Sequence, residues 1–133
     1  MNNFKNVFSF QDNKFFMNIY KEEKPWGNFE RFVANEQCTV KLLTVNPQES
    51  LSLQYHKNRD EFWKILEGNP RLTIGEETIV TKPNEEYFIP RGTKHRVSSQ
   101  DEIVRILEIM LGEYDENDIV HLEDKYGRMN KYM

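Results

Sequence analysis

Apolar residues gather in short runs through the middle of this chain, and clusters of polar turn residues separate them. The runs read Asn28 to Val33, Thr39 to Val45, Ser50 to His56, Glu61 to Leu66, Arg71 to Ile74, Glu77 to Thr81, Glu86 to Ile89, His95 to Ser98 and Ile103 to Met110. Each is rich in Val, Ile, Leu, Thr or aromatics and is set off by turn chemistry such as Asn46-Pro47, Gly68-Asn69-Pro70, Gly75-Glu76 or Lys82-Pro83-Asn84. No stretch of this region sustains helical periodicity. The rhythm predicts an all-β sandwich or barrel.

The ends differ from the middle. Glu116 to Tyr126 is acidic and reads as a short helix or an extended tail. The first twenty residues carry Phe4, Phe8, Phe10, Phe15 and Phe16 without a clear period. Apolar residues at an otherwise polar terminus suit packing on a second subunit, so a homodimer is expected. With no repeat, linker or low-complexity segment, one domain spans 1–133: a barrel core of about 24–112, an N-terminal arm of 1–23 and a C-terminal tail of 113–133.

Composition narrows this further. At 133 residues, 38% hydrophobic and 30% charged, the chain is the size of one soluble domain with a single core. Nine Phe, six Tyr and two Trp are many for this length and favour strands. The net charge of −4, with no basic stripe, argues against nucleic-acid binding. Cys38, the one cysteine, excludes an internal disulfide, fits a reducing compartment and reads as a strand residue rather than a nucleophile. Met1 to Tyr20 lacks the apolar segment of a signal peptide, and no run approaches the ~20 apolar residues that span a membrane. The expectation is a cytoplasmic protein with no membrane partner.

Candidate chemistry concentrates in Gln54, His56, Glu61 and His95. Residues i and i+2 of a strand share a face, so Gln54 and His56 point the same way. Glu61 opens the next run after a short turn, and a hairpin would bring it opposite them. It shares a face with Trp63 and Ile65. His95 follows the Pro90-Arg91-Gly92 turn. A single such histidine reads as a surface or loop residue; four donors at this spacing read as a site for one divalent metal ion. Two nitrogen and two oxygen donors suit Zn²⁺, the leading expectation, and also Mn²⁺, Fe²⁺, Co²⁺ or Ni²⁺.

These segments resemble the two motifs of cupin barrels. His56, Glu61 and Gly68 fall in register with the first, and Pro90, Gly92 and His95 with the second. The departures are Gln48 and Asn84 at two glycine positions, Gln54 at the first histidine and Ser99 at a terminal Asn. Gln-x-His, together with Lys24-Pro25-Trp26-Gly27-Asn28-Phe29-Glu30, Arg59-Asp60-Glu61-Phe62-Trp63, Tyr87 to Arg96 and Glu123-Asp124-Lys125-Tyr126-Gly127-Arg128, resembles the C-terminal cupin domain of type II mannose-6-phosphate isomerases. The likeness runs over about residues 24–128. Phe62 stands where that family shows His, but alternation directs it to the face opposite Glu61. No Gly-rich nucleotide loop is present, so guanylyl transfer is not expected.

The resemblance implies a cupin (jelly-roll) barrel whose metal set is Gln54, His56, Glu61 and His95. It also implies the interconversion of mannose 6-phosphate and fructose 6-phosphate. That reaction needs a Lewis acid, a base that moves a proton between C2 and C1 through an enediol, and cations that hold the phosphate. Glu108, sharing a face with Val104, Ile106 and Met110, is the candidate base if that face is interior; Ile103, Leu107 and Ile109 could equally be the core. Glu61, a ligand able to detach, is the rival. Arg59, Lys94, Arg91 and Lys41 are the phosphate candidates, with Lys24 and Arg96 behind them. Trp26 and Trp63 read as core or rim packing, and His121 as exposed and uninvolved. Two other functions fit the frame: a non-catalytic cupin that binds a sugar or sugar nucleotide in polysaccharide biosynthesis, and an Fe²⁺ dioxygenase. The amide at Gln54 disfavours the latter.

Overall fold

The computed structural model describes Met17 and residues 19–127; the five N-terminal phenylalanines behind the homodimer expectation, and Arg128, lie outside the described residues. Among the described residues there are eleven strands and no helix. A hairpin of β1 (Tyr20–Lys24) and β2 (Gly27–Arg31) stands as its own two-stranded sheet. The rest are β3 (Cys38–Val45), β4 (Leu53–Tyr55), β5 (Arg59–Glu67), β6 (Arg71–Ile74), β7 (Glu77–Val80), β8 (Glu86–Ile89), β9 (His95–Ser98), β10 (Val104–Gly112) and β11 (Val120–Glu123). They form a four-stranded sheet, β3-β10-β5-β8, and a five-stranded sheet, β11-β4-β9-β6-β7, with every pairing antiparallel. From β3 to β11, successive strands switch sheets except at the β6–β7 hairpin, as in a jelly roll.

Alternation along the long strands builds two apolar layers. Trp63, Ile65, Leu72, Ile74, Tyr87, Ile89, Val97, Val104 and Ile106 fill the space between the sheets. The other face of the four-stranded sheet buries Phe62, Phe88 and Ile109 under Met17 and Ile19, with Phe32 and Val33 at its margin. Phe62 and Phe88 are fully buried there, each contributing on the order of 1.5–3 kcal/mol. A two-stranded hairpin is marginal alone, and this second layer anchors the chain on both sides of β1 and β2. Phe62 does face away from Glu61. Along β10, Val104, Ile106, Glu108 and Met110 are all buried, so the Glu108 face is the interior one. Ile109 is buried too, in the outer layer.

Four sequence expectations change. β1 was not anticipated, and Trp26, at the hairpin tip, is 72% exposed rather than packed. No hairpin joins β4 to β5: β4 pairs with β9 and β11, β5 with β10 and β8, and residues 56–58 cross between the sheets. Strand β5 begins at Arg59, not Glu61, so these two residues share a face. The acidic tail takes the extended of its two expected forms, with Val120–Glu123 forming β11, an edge strand beside β4. Cys38 is half-buried at the start of β3. No helix among the described residues is long and apolar enough to cross a membrane.

Candidate metal centre

Strand pairing brings the candidate ligands together from both sheets. Gln54 on β4 lies directly opposite His95 on β9. Glu61 projects from β5 in the facing sheet, and His56 sits just past the end of β4. Ligand atoms of His56, Glu61 and His95 all lie within 4.8 Å of one another, and all three residues are buried. His56 Nε2 is 3.1 Å from Glu61 Oε2, and His95 Nε2 is 3.4 Å from Glu61 Oε1.

Backbone carbonyls fix the tautomers. His56 Nδ1 contacts the carbonyl oxygen of Asp118 at 2.7 Å, and His95 Nδ1 that of Thr93 at 2.9 Å. A carbonyl only accepts, so each Nδ1 carries its hydrogen and each Nε2 of the neutral ring turns a lone pair toward Glu61. The Asp118 carboxylate also accepts from the backbone N–H groups of Lys57 (2.8 Å) and Asn58 (2.9 Å), which clamps the crossing between the sheets.

Two imidazole lone pairs and a carboxylate thus converge at a buried point. Glu61 Oε1 is buried and finds no hydrogen-bond partner. An orphaned buried carboxylate oxygen is costly, and a cation among these three groups would satisfy it. The donor set therefore fits a divalent metal; its chemistry is compatible with several first-row ions.

Electrostatics separate the two carboxylates of the site. Burial works to raise the Glu61 pKa, but where the imidazoles are protonated, a hydrogen bond from His56 and the charges of His95 and His56 outweigh it and hold the group well below its ordinary value. Burial, then the charge of Glu61 and a hydrogen bond shared with it, push Glu108 up to about 8. Burial lowers the His95 pKa, keeping the ring neutral. Glu108 is flanked in register by Lys41 on β3 and Trp63 on β5, and Trp63 Nε1 donates to Glu108 Oε2 at 3.0 Å.

The centre opens into a cavity of about 320 Å³ that Gln54, Glu108, Lys41, Arg59, Tyr114 and His121 also line. Arg59 Nε donates to Glu61 Oε2 (3.3 Å), and its other donors reach His56 Nε2 (3.3 Å) and the Asp115 carbonyl (3.1 Å). Arg59 and Lys41 each stand 5.0 Å from the centre of the Tyr114 ring. A hydrogen bond to Tyr114, and secondarily the charge of Glu108, raise the Lys41 pKa.

The other phosphate candidates sit elsewhere. Arg91 is engaged by both carboxylate oxygens of Asp60, and Lys94 pairs with Glu76 at 2.9 Å; neither lines the cavity. Arg96 pairs with Glu123, and Lys24 with Glu22. Trp63 is buried edge-on to His95, with ring centroids 5.4 Å apart. His121 is a correction: it is half-buried, lines the cavity and bonds Ser52 Oγ at 2.7 Å. Sequence reasoning also missed Ser52, Tyr114 and Asp118. The cue for the last was Ile119-Val120, a β-branched pair within a polar tail.

Known proteins fit this arrangement. The family model described as mannose-6-phosphate isomerase C-terminal matches residues 11–124. Mannose-1-phosphate guanylyltransferase ManC of Salmonella typhimurium is 38% identical over 108 residues, 80% of this chain and 22% of that protein. Xanthan biosynthesis protein XanB of Xanthomonas campestris is 36% identical over 110 residues, 81% of this chain and 24% of that one. The chain thus spans about a quarter or less of the length of these relatives. Among solved structures, a cupin-2 domain from Rhodospirillum rubrum superposes with a TM-score of 0.55 at 18% identity, covering 77% of this chain and 78% of that one, which supports the cupin fold. With a match over most of its length, the chain belongs to the mannose-6-phosphate isomerase C-terminal family, on a cupin barrel.

Proposed function

We propose that the chain is a metal-dependent aldose–ketose isomerase that interconverts mannose 6-phosphate and fructose 6-phosphate through an enediol, with Zn²⁺ as the first metal to test. One observation carries this reading. Glu108, a buried carboxyl with its pKa raised to about 8, shares a cavity with His56 and Glu61, two of the three grouped donors. A base beside a Lewis-acid site is what proton transfer next to a carbonyl requires.

His56, Glu61, His95 and the carbonyl oxygen of Gln54 would hold the ion. A bound divalent ion would supply Lewis acidity to the sugar carbonyl and would offset the Glu61 charge that helps keep Glu108 protonated. Ionised Glu108 takes the proton from C2 of the open-chain aldose, leaving an enediol skeleton with the negative charge on O1. The O2 proton then passes to O1, and Glu108 returns its proton to C1, giving the ketose. Trp63 orients the Glu108 carboxyl by donating to Oε2. Lys41 and Arg59 line the cavity as the cations for the phosphate.

The test is fructose 6-phosphate formation from mannose 6-phosphate by protein loaded with Zn²⁺, Mn²⁺, Fe²⁺, Co²⁺ or Ni²⁺ in turn. Turnover should disappear with chelator and with His56→Ala. Metal-loaded protein inert on both hexose phosphates would sink the proposal. The relative XanB, named for xanthan biosynthesis, favours one other reading, a cupin that binds a sugar or sugar nucleotide in polysaccharide biosynthesis without turnover. Tight calorimetric binding of mannose 6-phosphate without conversion would select it.

A further inference from the structure

We propose that His121, acting through Ser52, is a positioning residue that holds the Gln54 amide with its carbonyl oxygen toward Glu61 and the two histidines. The inference rests on the metal-centre reading above. An amide has one lone-pair end and one N–H₂ end, and rotation about its last bond exchanges them. Only the oxygen end can serve a cation, so the value of Gln54 as a ligand depends on which end is tied down.

The tie is a chain of hydrogen bonds. Gln54 Nε2 donates to Ser52 Oγ at 3.0 Å, with the Ser52 carbonyl at 3.4 Å on the same side. Ser52 Oγ lies 2.7 Å from His121 Nδ1. The serine hydroxyl has a single hydrogen. Given to His121 Nδ1, it leaves only oxygen lone pairs facing Gln54, which therefore presents its N–H₂ end to Ser52. The carbonyl oxygen is then the end left for the cavity that Gln54 lines. Without an acceptor at position 121, the hydroxyl is free to turn and donate to the amide oxygen, which draws that oxygen away from the cavity. Ser52 is fully buried, so in the intact site its hydroxyl finds its partners among protein groups. The fold sets this up: β11 lays His121 opposite Gln54 on one side of β4, while His95 lies opposite it on the other.

Competition with a chromogenic chelator, using Zn²⁺ and Co²⁺ alone, measures the effect without reference to turnover. His121→Ala and Ser52→Ala should each weaken metal binding about 10- to 100-fold, the range for partners that orient a ligand. His121→Asn, whose side-chain oxygen can accept from Ser52, should recover most of the loss. The decisive arm repeats His121→Ala in a Gln54→Glu background. A carboxylate offers an oxygen at either end, so there the substitution should change affinity by less than about twofold.

Equal losses in both backgrounds would mean that position 121 supports the fold rather than the amide, and would overturn the proposal. So would an unchanged affinity in His121→Ala. Thermal melts identify any variant that fails to fold, and Ser52→Ala and His121→Asn then decide the matter. Absence of isomerase turnover alongside the predicted affinity pattern would refute the proposed reaction while leaving this inference standing.

Discussion

Trp63 donates its indole N–H to Glu108 Oε2 at 3.0 Å while standing edge-on to His95, with ring centroids 5.4 Å apart. One buried indole thus touches both the candidate base and a candidate ligand, so the spacing between them is set by core packing rather than by a loop. A rigid strand-borne pair of this kind holds a proton-transfer group at constant distance from the metal ligands.

The raised pKa of Glu108 predicts how stability depends on pH in the metal-free protein. Its carboxyl titrates at about 8 when folded against an ordinary 4.5, so across that interval the native state binds the extra proton. Stability from this group is fully present below 4.5 and is lost as pH rises through about 8. His95, lowered from 6.5 by burial, works the other way, losing stability as pH falls below that value. Of these two groups, only Glu108 costs stability as pH rises from 6.5 to about 8. Melting temperature should fall across that interval in the wild type and fall less in Glu108→Gln. Trp63→Phe, which removes a donor that favours the ionised form, should move the fall to higher pH.

Metal binding should stabilise the fold, because the ligands converge only in the native state. Saturation at ~100 times the dissociation constant adds about 2.7 kcal/mol. Differential scanning calorimetry should show a rise in melting temperature that chelator reverses and that His56→Ala, His95→Ala and Glu61→Gln largely abolish. Because burial keeps His95 neutral below its ordinary 6.5, affinity should persist to lower pH than for exposed imidazoles. A full loss of binding already at pH 6.5 would contradict this.

Much of this was legible in the sequence because strands of period two leave few alternatives. Alternation placed Phe62 opposite Glu61 and grouped Glu108 with Val104, Ile106 and Met110. Alternation does not say which strand pairs with which. The run from Gln54 to Glu61 reads like a hairpin, yet Asn58 and Lys57 are caught by the Asp118 carboxylate and the chain crosses to the other sheet. His121 was misread for the same reason. Its run of four strand residues lies among acids, and only pairing with β4 makes it part of the site. Arg91 and Lys94 looked like phosphate ligands by proximity in sequence, but Asp60 and Glu76 engage them.

The cations should divide by their surroundings. Lys41→Ala, which empties one wall of the cavity, should raise KM for mannose 6-phosphate about 10- to 100-fold, the equivalent of one charge-assisted hydrogen bond to phosphate. Lys94→Ala removes an ion pair with Glu76, an 89% exposed partner, and should leave KM and melting temperature nearly unchanged. Steady-state kinetics on both variants checks this. A larger KM effect at Lys94 would relocate the phosphate.

The two positions where glycine is replaced in the cupin motifs keep the backbone that glycine favours. Gln48 has φ of 66° and Asn84 a φ of 76°, both left-handed. Asn tolerates this region, whereas a longer side chain pays roughly 1–2 kcal/mol. Gln48 recovers part of that through a hydrogen bond from Nε2 to Asp101 at 2.8 Å, an exposed contact worth little. Gln48→Ala keeps the unfavourable φ and loses the contact, so it should be slightly destabilising. Gln48→Gly relieves the φ but adds freedom to the unfolded chain, which offsets about 0.5–1 kcal/mol. The net expectation is a Gly variant more stable than the Ala variant by about 1 kcal/mol, measured by denaturant titration at constant m-value. Asn84→Gly should change stability less, because Asn already accepts the conformation. If the Gly variant proved no more stable than the Ala variant, the left-handed turn at position 48 would not be the constraint that the motif position encodes.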